Sequence, residues 1–239
     1  MGVDVQPYSA PGITIAGTTV ERVRAMADWV EVGTAPRLVT FTNVHMLTEA
    51  HQNSNFRKIL ERMDLNLPDE MPIVWMGKLK GQTVNRVCGP EFMPTFCAAT
   101  AGKGFRHFFY GGGPGVAQSV ATKLKEANPD IQIAGWYCPP YRNVSPEEDA
   151  AVVQEINESG VDVVWVCLGC PKQEIWMAEH RDRLKVRLIL AVGMAFDTIA
   201  GTKRRAPAIL RRCGLEWAYR FTSEPHRLWK RYLVSNLTF

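Results

Sequence analysis

Residues 106–136 read RHFFYGGGPGVAQSVATKLKEANPDIQIAGW, and this stretch decides the fold. Arg106–Tyr110 is a short apolar run with the length of a buried strand, and it ends in a glycine-rich turn. Val116–Ala127 then has the periodicity of a helix, and Ile131–Trp136 is a second strand-like run. Alternation of strands and helices predicts a parallel sheet that is covered by helices.

The same alternation continues towards the C-terminus. Further strands are predicted at Val161–Leu168 and Arg187–Val192, with helices at Pro146–Glu158 and Gln173–Arg183. Ser145 is a suitable cap for the first of these helices, because Pro146 then occupies its first position. We therefore predict an α/β fold: a Rossmann-like, mostly parallel sheet with helices on both faces.

The segment before residue 106 has a less regular pattern. Thr18 and Glu21 form a capping box that predicts a helix at Thr18–Val32, and Ser54 is the predicted cap of another helix. Asp64–Pro68 is predicted to be a loop. The other predicted elements are a strand at Arg37–Phe41 and helices at Asn43–His51, Met71–Lys80 and Pro90–Thr100.

The composition is that of an ordinary folded protein. The chain has 239 residues, of which 46% are hydrophobic and 22% charged. No apolar run reaches the roughly 20 residues that a membrane-spanning helix needs. The first residues lack a basic head followed by an apolar run, so no secretory signal is predicted. We expect a cytoplasmic protein with reduced cysteines, whose contact with a membrane is peripheral.

The positive charge is concentrated at the C-terminal end. Residues 202–239 contain nine Lys or Arg and two Glu, so the rest of the chain has a charge of −3 within the total of +4. We predict an α/β domain at 1–201 and a basic, aromatic appendage at 202–239, made of two short helices that are broken at Pro225. Basic residues among Trp and Tyr suit an anionic membrane surface. Nucleic acid is the rival partner, but no nucleic-acid-binding motif accompanies the patch.

The turn Gly111–Gly112–Gly113 lies between a predicted strand and a predicted helix. Glycines in this place let the backbone approach a ligand, and helix N–H groups can face phosphate oxygens. The turn lacks the G-x-G-x-x-G spacing of dinucleotide-binding folds. The alternative is that the glycines serve packing alone.

A second strand end, at Leu168, is followed by Lys172, Gln173 and Glu174 at the start of a helix. Ligands of open α/β sheets bind at this edge, so Lys172 could neutralise a phosphate and Gln173 could bind a sugar or a base. The alternative is helix capping with a solvated charge pair.

Carboxylates flank Pro68 in an otherwise apolar segment. Asp69 is a candidate general base, and the alternative is a helix cap. The chain contains no D-x-D, so we expect neither a metal site nor a cofactor. Cys167 and Cys170 form a C-x-x-C, but no second Cys/His pair has metal-ligand spacing, and we interpret both cysteines as structural.

Several ordered segments resemble the WecG/TagA/CpsF glycosyltransferases. They run in the family's order from about residue 37 to the C-terminus, and together they are highly specific. The segments are Thr42–His45, Leu67–Trp75, Arg86–Pro90, Phe109–Gly112, Leu168–Glu174, Gly193–Asp197 with Gly201, Arg205–Pro207, and Gly214–Trp217 with Arg220.

The resemblance implies an inverting transferase that moves an N-acetylmannosamine-type sugar or related hexose from a UDP-sugar to a polyprenyl-diphosphate-linked sugar in envelope polysaccharide synthesis. It implies that Asp69 is the general base and that Asn43, Arg86 and Gln173 belong to the active site. The residues expected to bind substrate are Thr40, Thr42, Gly111, Gly112, Gly113, Lys172, Glu174 and Asp197. Those expected at the lipid diphosphate and the inner face of the cytoplasmic membrane are Arg204, Arg205, Arg212 and Arg220.

The chain departs from the family pattern at two positions. Glu70 stands where the family usually has glycine, which adds bulk and negative charge beside the proposed base. Phe41 stands where the family often has threonine, so Thr40 or Thr42 is the candidate replacement. A non-catalytic nucleotide-sugar-binding regulator on the same fold is therefore the alternative function. The sequence leaves a homo-oligomer open.

Overall fold

The computed structural model describes residues 6–17 and 35–223. The predicted helix at Thr18–Val32 and the predicted break at Pro225 lie outside these residues. The strands are β1 Gln6–Ala10, β2 Ile13–Gly17, β3 Arg37–Thr42, β4 Leu65–Pro68, β5 Arg106–Gly111, β6 Gln132–Tyr137, β7 Val163–Cys167 and β8 Leu188–Ala191. The helices are α1 Val44–Gln52, α2 Ser54–Glu61, α3 Met71–Leu79, α4 Gly89–Ala101, α5 Val116–Ala127, α6 Pro146–Glu158, α7 Lys172–His180, α8 Ala195–Ala200, α9 Ala208–Arg212 and α10 Glu216–Ser223.

Six strands form one parallel sheet in the order β4-β3-β8-β7-β5-β6. The predicted α/β fold with a mostly parallel sheet is therefore confirmed. β1 and β2 form a separate antiparallel hairpin. The sequence analysis did not predict this hairpin, which packs through Ile13 and Ile15 into a cluster with helices α1 to α3.

The sheet has a buried side-chain layer on each face, as a doubly covered parallel sheet requires. Along β3, Leu38 lies in one layer and Val39 and Phe41 lie in the other, which is the period of two expected of a strand. Helices α4, α5 and α8 supply the layer around Trp165. Helices α6 and α7 supply the layer that contains Trp176.

Two local predictions before residue 106 were wrong. Asp64–Pro68 is not a loop, because Leu65–Pro68 pairs with β3 as the edge strand β4. Four residues are too few to show the alternation of apolar and polar residues that indicates a strand. In addition, the polar residue Asn66 does not face solvent, because its side chain donates to backbone oxygens. Ser54 does not cap α2, since the Asn53 side chain accepts from the N–H groups of Asn55 and Phe56.

All six parallel strands end at one edge of the sheet. In spatial order their last residues are Pro68, Thr42, Ala191, Cys167, Gly111 and Tyr137. Open α/β sheets bind their ligands at this carboxyl edge. The predicted site residues follow five of these six strand ends, directly or within a few positions.

Candidate active site

Asp69 is the first residue after β4, at the carboxyl edge of the sheet. Its backbone N–H donates to the Thr42 oxygen at 2.9 Å, so β3 fixes the position of the residue. On the other side, the Val87 N–H donates to the Pro68 oxygen at 2.9 Å and brings the segment before α4 against the same strand end. The Asp69 side chain is 22% exposed, and its Oδ1, which faces Arg86, is shielded from solvent.

Arg86 joins Asp69 to the C-terminal part of the chain. Its Nε donates to the backbone oxygen of Asp69, and its Nη2 lies 4.0 Å from Asp69 Oδ1 and 2.6 Å from Glu216 Oε2. Burial lowers the pKa of the Arg86 guanidinium, but Asp69, Cys88 and Glu216 raise it by more. Arg86 therefore stays charged beside the proposed base.

The start of α4 is packed tightly behind this pair. A Cβ at Gly89 would lie 2.6 Å from the backbone oxygen of Val192, so only glycine allows α4 to approach the end of β8 so closely. Burial raises the pKa of the preceding Cys88 thiol to about 12, which leaves it neutral at physiological pH. Cys88 is thus no candidate nucleophile.

Tail arginines reach the same place. Arg205 Nη1 lies 3.2 Å from Glu91 Oε1, and its Nη2 lies 3.5 Å from Cys88 Sγ. Arg211 also binds Glu91. The Arg205 side chain, which was predicted to approach a lipid diphosphate, is 15% exposed and contacts Glu91 and Cys88, two residues that precede or begin α4. Arg204 is exposed, and Arg212 and Arg220 lie on α9 and α10.

Glu70 and Asn43 both serve the first turn of α1. Glu70 Oε2 accepts from the Val44 N–H at 3.0 Å, and Asn43 Oδ1 accepts from the Met46 N–H at 3.0 Å. Carboxylates at a helix N-terminus are favourable because N–H groups and the helix dipole face them. The negative charge of Glu70 thus stabilises the start of α1. The alternative of a non-catalytic regulator was based on the presence of Glu70 beside the proposed base, so this contact weakens it.

A second group of predicted residues lies between α7 and β3. Thr40, Thr42, Gln173 and Glu174 are all buried, and Gln173 Nε2 donates to Glu174 Oε1 at 2.7 Å. Burial raises the pKa of Glu174 to about 7, against the opposing effect of its hydrogen bonds. The alternative of a solvated charge pair is therefore wrong for Glu174, whereas Lys172 is exposed.

The glycine turn lies further along the edge. A Cβ at Gly111 would lie 2.3 Å from the Cys167 oxygen, and the Gly112 N–H donates to that oxygen at 2.8 Å. Close packing against β7 is therefore sufficient to explain the glycine at position 111. Contact of Gly112 and Gly113 with a phosphate stays a prediction. Asp197, at the start of α8, pairs with Lys203 at 3.4 Å.

The predicted residues share one edge but form three groups. β4 and β5 are four strand spacings apart, so Asp69 and Gly111 are separated by roughly 19 Å. Gln173 and Glu174 lie between them, because α7 contacts β3, β7 and β8. The sequence analysis gave no role to Glu216, although it lies in the quoted Gly214–Trp217 segment.

The described residues contain neither a candidate metal cluster nor a candidate membrane-spanning helix. Within residues 6–17 and 35–223, no group of three or more His, Cys, Asp or Glu is placed to hold a metal ion. Over the same ranges, none of the helices combines the length and the hydropathy needed to span a bilayer.

Comparisons with known proteins identify the family of the chain. A model of the glycosyl transferase WecG/TagA/CpsF family matches residues 9–239. An N-acetylglucosaminyldiphosphoundecaprenol N-acetyl-beta-D-mannosaminyltransferase of Bacillus spizizenii (strain W23) is 32% identical over 77% of this chain and 70% of its own length. A protein of the same name from Bacillus subtilis (strain 168) is 28% identical over 82% of this chain and 75% of its own length. The chain belongs to the WecG/TagA/CpsF family of glycosyltransferases.

Proposed function

We propose that the protein transfers an N-acetylmannosamine-type sugar or related hexose from a UDP-sugar to a polyprenyl-diphosphate-linked sugar, with inversion and without a metal ion. The names of the two relatives support the sugar and the acceptor class. The observation that carries the proposal is the pairing of a partly exposed carboxylate, Asp69, with the largely buried cation Arg86 at the carboxyl edge of the sheet, where open α/β folds bind ligands.

The chemistry needs a base and a site for the departing diphosphate. An acceptor hydroxyl attacks the anomeric carbon and forms the new C–O bond, while its proton passes to the Asp69 carboxylate. The bond from that carbon to the diphosphate oxygen breaks on the opposite face, and UDP leaves with the electron pair. Charge grows on the leaving diphosphate, so a fixed cation such as Arg86 lowers the barrier.

The donor would lie along the carboxyl edge. Its nucleotide part would lie towards the turn at Gly112 and Gly113, and its sugar would extend past Gln173 towards Asp69. Thr40, Thr42, Lys172, Glu174 and Asp197 stay predicted substrate-binding residues on this path, and Asn43 stays a predicted residue of the active site.

A transfer assay tests the proposal. A panel of UDP-sugars is supplied with a short-chain polyprenyl-diphosphate sugar, and UDP release and the anomeric configuration of the product are measured. Asp69→Asn should reduce kcat at least ~100-fold, which is the lower range for losing a general base. Asp130→Asn is the matched control, because Asp130 is exposed before β6 at the opposite edge. Wild-type turnover in Asp69→Asn would remove the catalytic assignment.

The proposed location is the inner face of the cytoplasmic membrane, reached by peripheral binding. Large apolar side chains are exposed near the C-terminal end of the described chain, among them Ile209 and Trp217 at 75% and 41% exposure. Arginines on α9 and α10 accompany them, a composition that suits anionic headgroups. The division at residue 201/202 stays part of this proposal.

Vesicle flotation tests the membrane proposal. The full chain should float with vesicles that contain anionic phospholipid, and Ile209→Ser with Trp217→Ser should float less. Tyr141→Ser is the control, because Tyr141 is 92% exposed near the glycine turn. Equal flotation of all three proteins counts against membrane contact through this surface, and a mobility shift with nucleic acid in its place would favour the rival partner.

A further inference from the structure

The side chains of Gln173 and Glu174 form a buried pair at the start of α7. Gln173 is 4% exposed and Glu174 is fully buried, and the amide Nε2 donates to the carboxylate Oε1 at 2.7 Å. The pair lies on the face of the sheet that Thr40 and Thr42 share, at the carboxyl end of β3. Neither side chain can thus be explained as a solvent-facing residue.

The chemistry of the pair fixes the orientation of the amide. Above pH 7 Glu174 is an ionised carboxylate that only accepts hydrogen bonds, so Gln173 must turn its N–H groups to Glu174 and its carbonyl oxygen away. The Thr40 hydroxyl and the Cys170 thiol lie close enough to Glu174 to lower its pKa, against the larger effect of burial. Both groups favour the ionised form of Glu174, which prevails above pH 7 and holds the amide in one orientation.

Four buried polar atoms in this group form no hydrogen bond with any of the residues that the structure describes. They are Gln173 Oε1, Glu174 Oε2, Thr40 Oγ1 and Thr42 Oγ1. Buried polar atoms without a partner are rare in folded proteins and are commonly satisfied by a ligand or a water molecule. Carbonyl, carboxylate and hydroxyl oxygens can all accept hydrogen bonds, so the group suits a ligand that offers N–H or O–H donors.

We propose that Glu174 is a positioning residue that holds the Gln173 amide in one orientation, so that Gln173 Oε1 accepts a hydrogen bond from an N–H or O–H group of the donor sugar. The inference rests on the proposed function, because it places the donor sugar at this edge. It does not depend on Asp69 being the base.

Donor binding and kinetics of three full-length variants test the inference. In Glu174→Gln the new amide can donate as well as accept, so Gln173 is free to turn. We expect Kd and KM for the accepted UDP-sugar to rise about tenfold, the worth of one hydrogen bond, with a smaller change in kcat. The affinity for UDP alone should not change, because UDP carries no sugar.

The exchange variant, Gln173→Glu with Glu174→Gln, keeps one amide and one carboxylate in the pair. A carboxylate at position 173 accepts from the amide at 174 with one oxygen and keeps the other for the sugar. It should bring Kd and KM back to within about threefold of the wild type, since a single hydrogen bond is restored. Gln173→Leu, which removes the acceptor, should resemble Glu174→Gln and should not be rescued by a change at 174.

The outcomes separate the inference from the proposed function. Unchanged Kd and KM in Glu174→Gln, or equal weakening of UDP and UDP-sugar, overturns the inference. An exchange variant that is folded by circular dichroism but binds no better than Glu174→Gln also overturns it. Binding is measured by calorimetry above pH 7, where Glu174 is ionised, and without acceptor, so the inference is decided even for a protein that shows no turnover. A wild-type protein that binds UDP-sugars but transfers none contradicts the proposed function alone.

Discussion

The Arg86 guanidinium lies 2.6 Å from the Glu216 carboxylate, across a sequence separation of 130 residues. Both side chains are largely buried, with 17% and 14% exposure. The contact brings α10 to the cation beside Asp69. Glu216 thus occupies one side of Arg86, the residue that we propose to stabilise the leaving diphosphate.

This ion pair should be energetically coupled. A double-mutant cycle of Arg86→Met and Glu216→Gln, followed by urea unfolding, should give a coupling of at least about 1 kcal/mol, because pairs shielded from water are weakly screened. The matched control is Arg142 with Glu148, whose side chains are 59% and 39% exposed. That pair should show no resolvable coupling, since water screens it. Equal coupling in the two cycles would contradict the buried contact.

Gly89 should be required by packing alone. A methyl group there meets the backbone oxygen of Val192 at 2.6 Å, and backbone atoms cannot move aside cheaply. Gly89→Ala should therefore lower the free energy of unfolding by about 1–3 kcal/mol. Gly102→Ala is the control, because Gly102 has φ −78° and nothing lies within 4 Å of its added Cβ. The control should be neutral or slightly stabilising, and a similar loss in both variants would sink the packing argument.

Turnover should not depend on a divalent cation. The chain has no D-x-D pair, so we assign stabilisation of the leaving diphosphate to Arg86 and other fixed charges. Transfer measured after dialysis against excess EDTA should stay within about twofold of the untreated rate, a difference too small for the loss of a Lewis acid. Added Mg²⁺ or Mn²⁺ should change it no further. A rate that collapses with EDTA and returns with one cation would show that a metal is used.

The sequence predicted the regular part of the fold well. The bounds of α5 and α6 agree with the structure, because each helix starts at a strong signal, a glycine turn for α5 and Ser145–Pro146 for α6. β4 was missed because four residues give no periodicity. The carboxyl edge could be predicted, because strand ends in a parallel sheet must meet there.

The arrangement within the site could not be predicted in the same way. The contact between Arg86 and Glu216 depends on how the tail folds back, and no local pattern encodes it. Glu174 follows Lys172 and Gln173 in a run that is typical of an exposed helix start. Its burial results from the packing of α7 against β3, β7 and β8, which only the tertiary structure shows.

The burial of Glu174 should make stability depend on pH. Its pKa is raised by burial from 4.5 to about 7 in the folded protein, so between these values the folded state holds a proton that the unfolded state has lost. The stabilisation is complete below pH 4.5, falls as the pH rises, and is gone above pH 7. We compare urea unfolding of the wild type with that of Glu174→Gln, which does not titrate. The free energy of unfolding of the wild type should fall by about 3 kcal/mol relative to that of the variant between pH 4.5 and 7, and no further above pH 7.

Glu179→Gln is the control, because Glu179 is exposed on the same helix. This variant should show the same dependence of the free energy of unfolding on pH as the wild type. Parallel pH profiles of the wild type and Glu174→Gln would mean that Glu174 is ionised in the folded protein throughout this range.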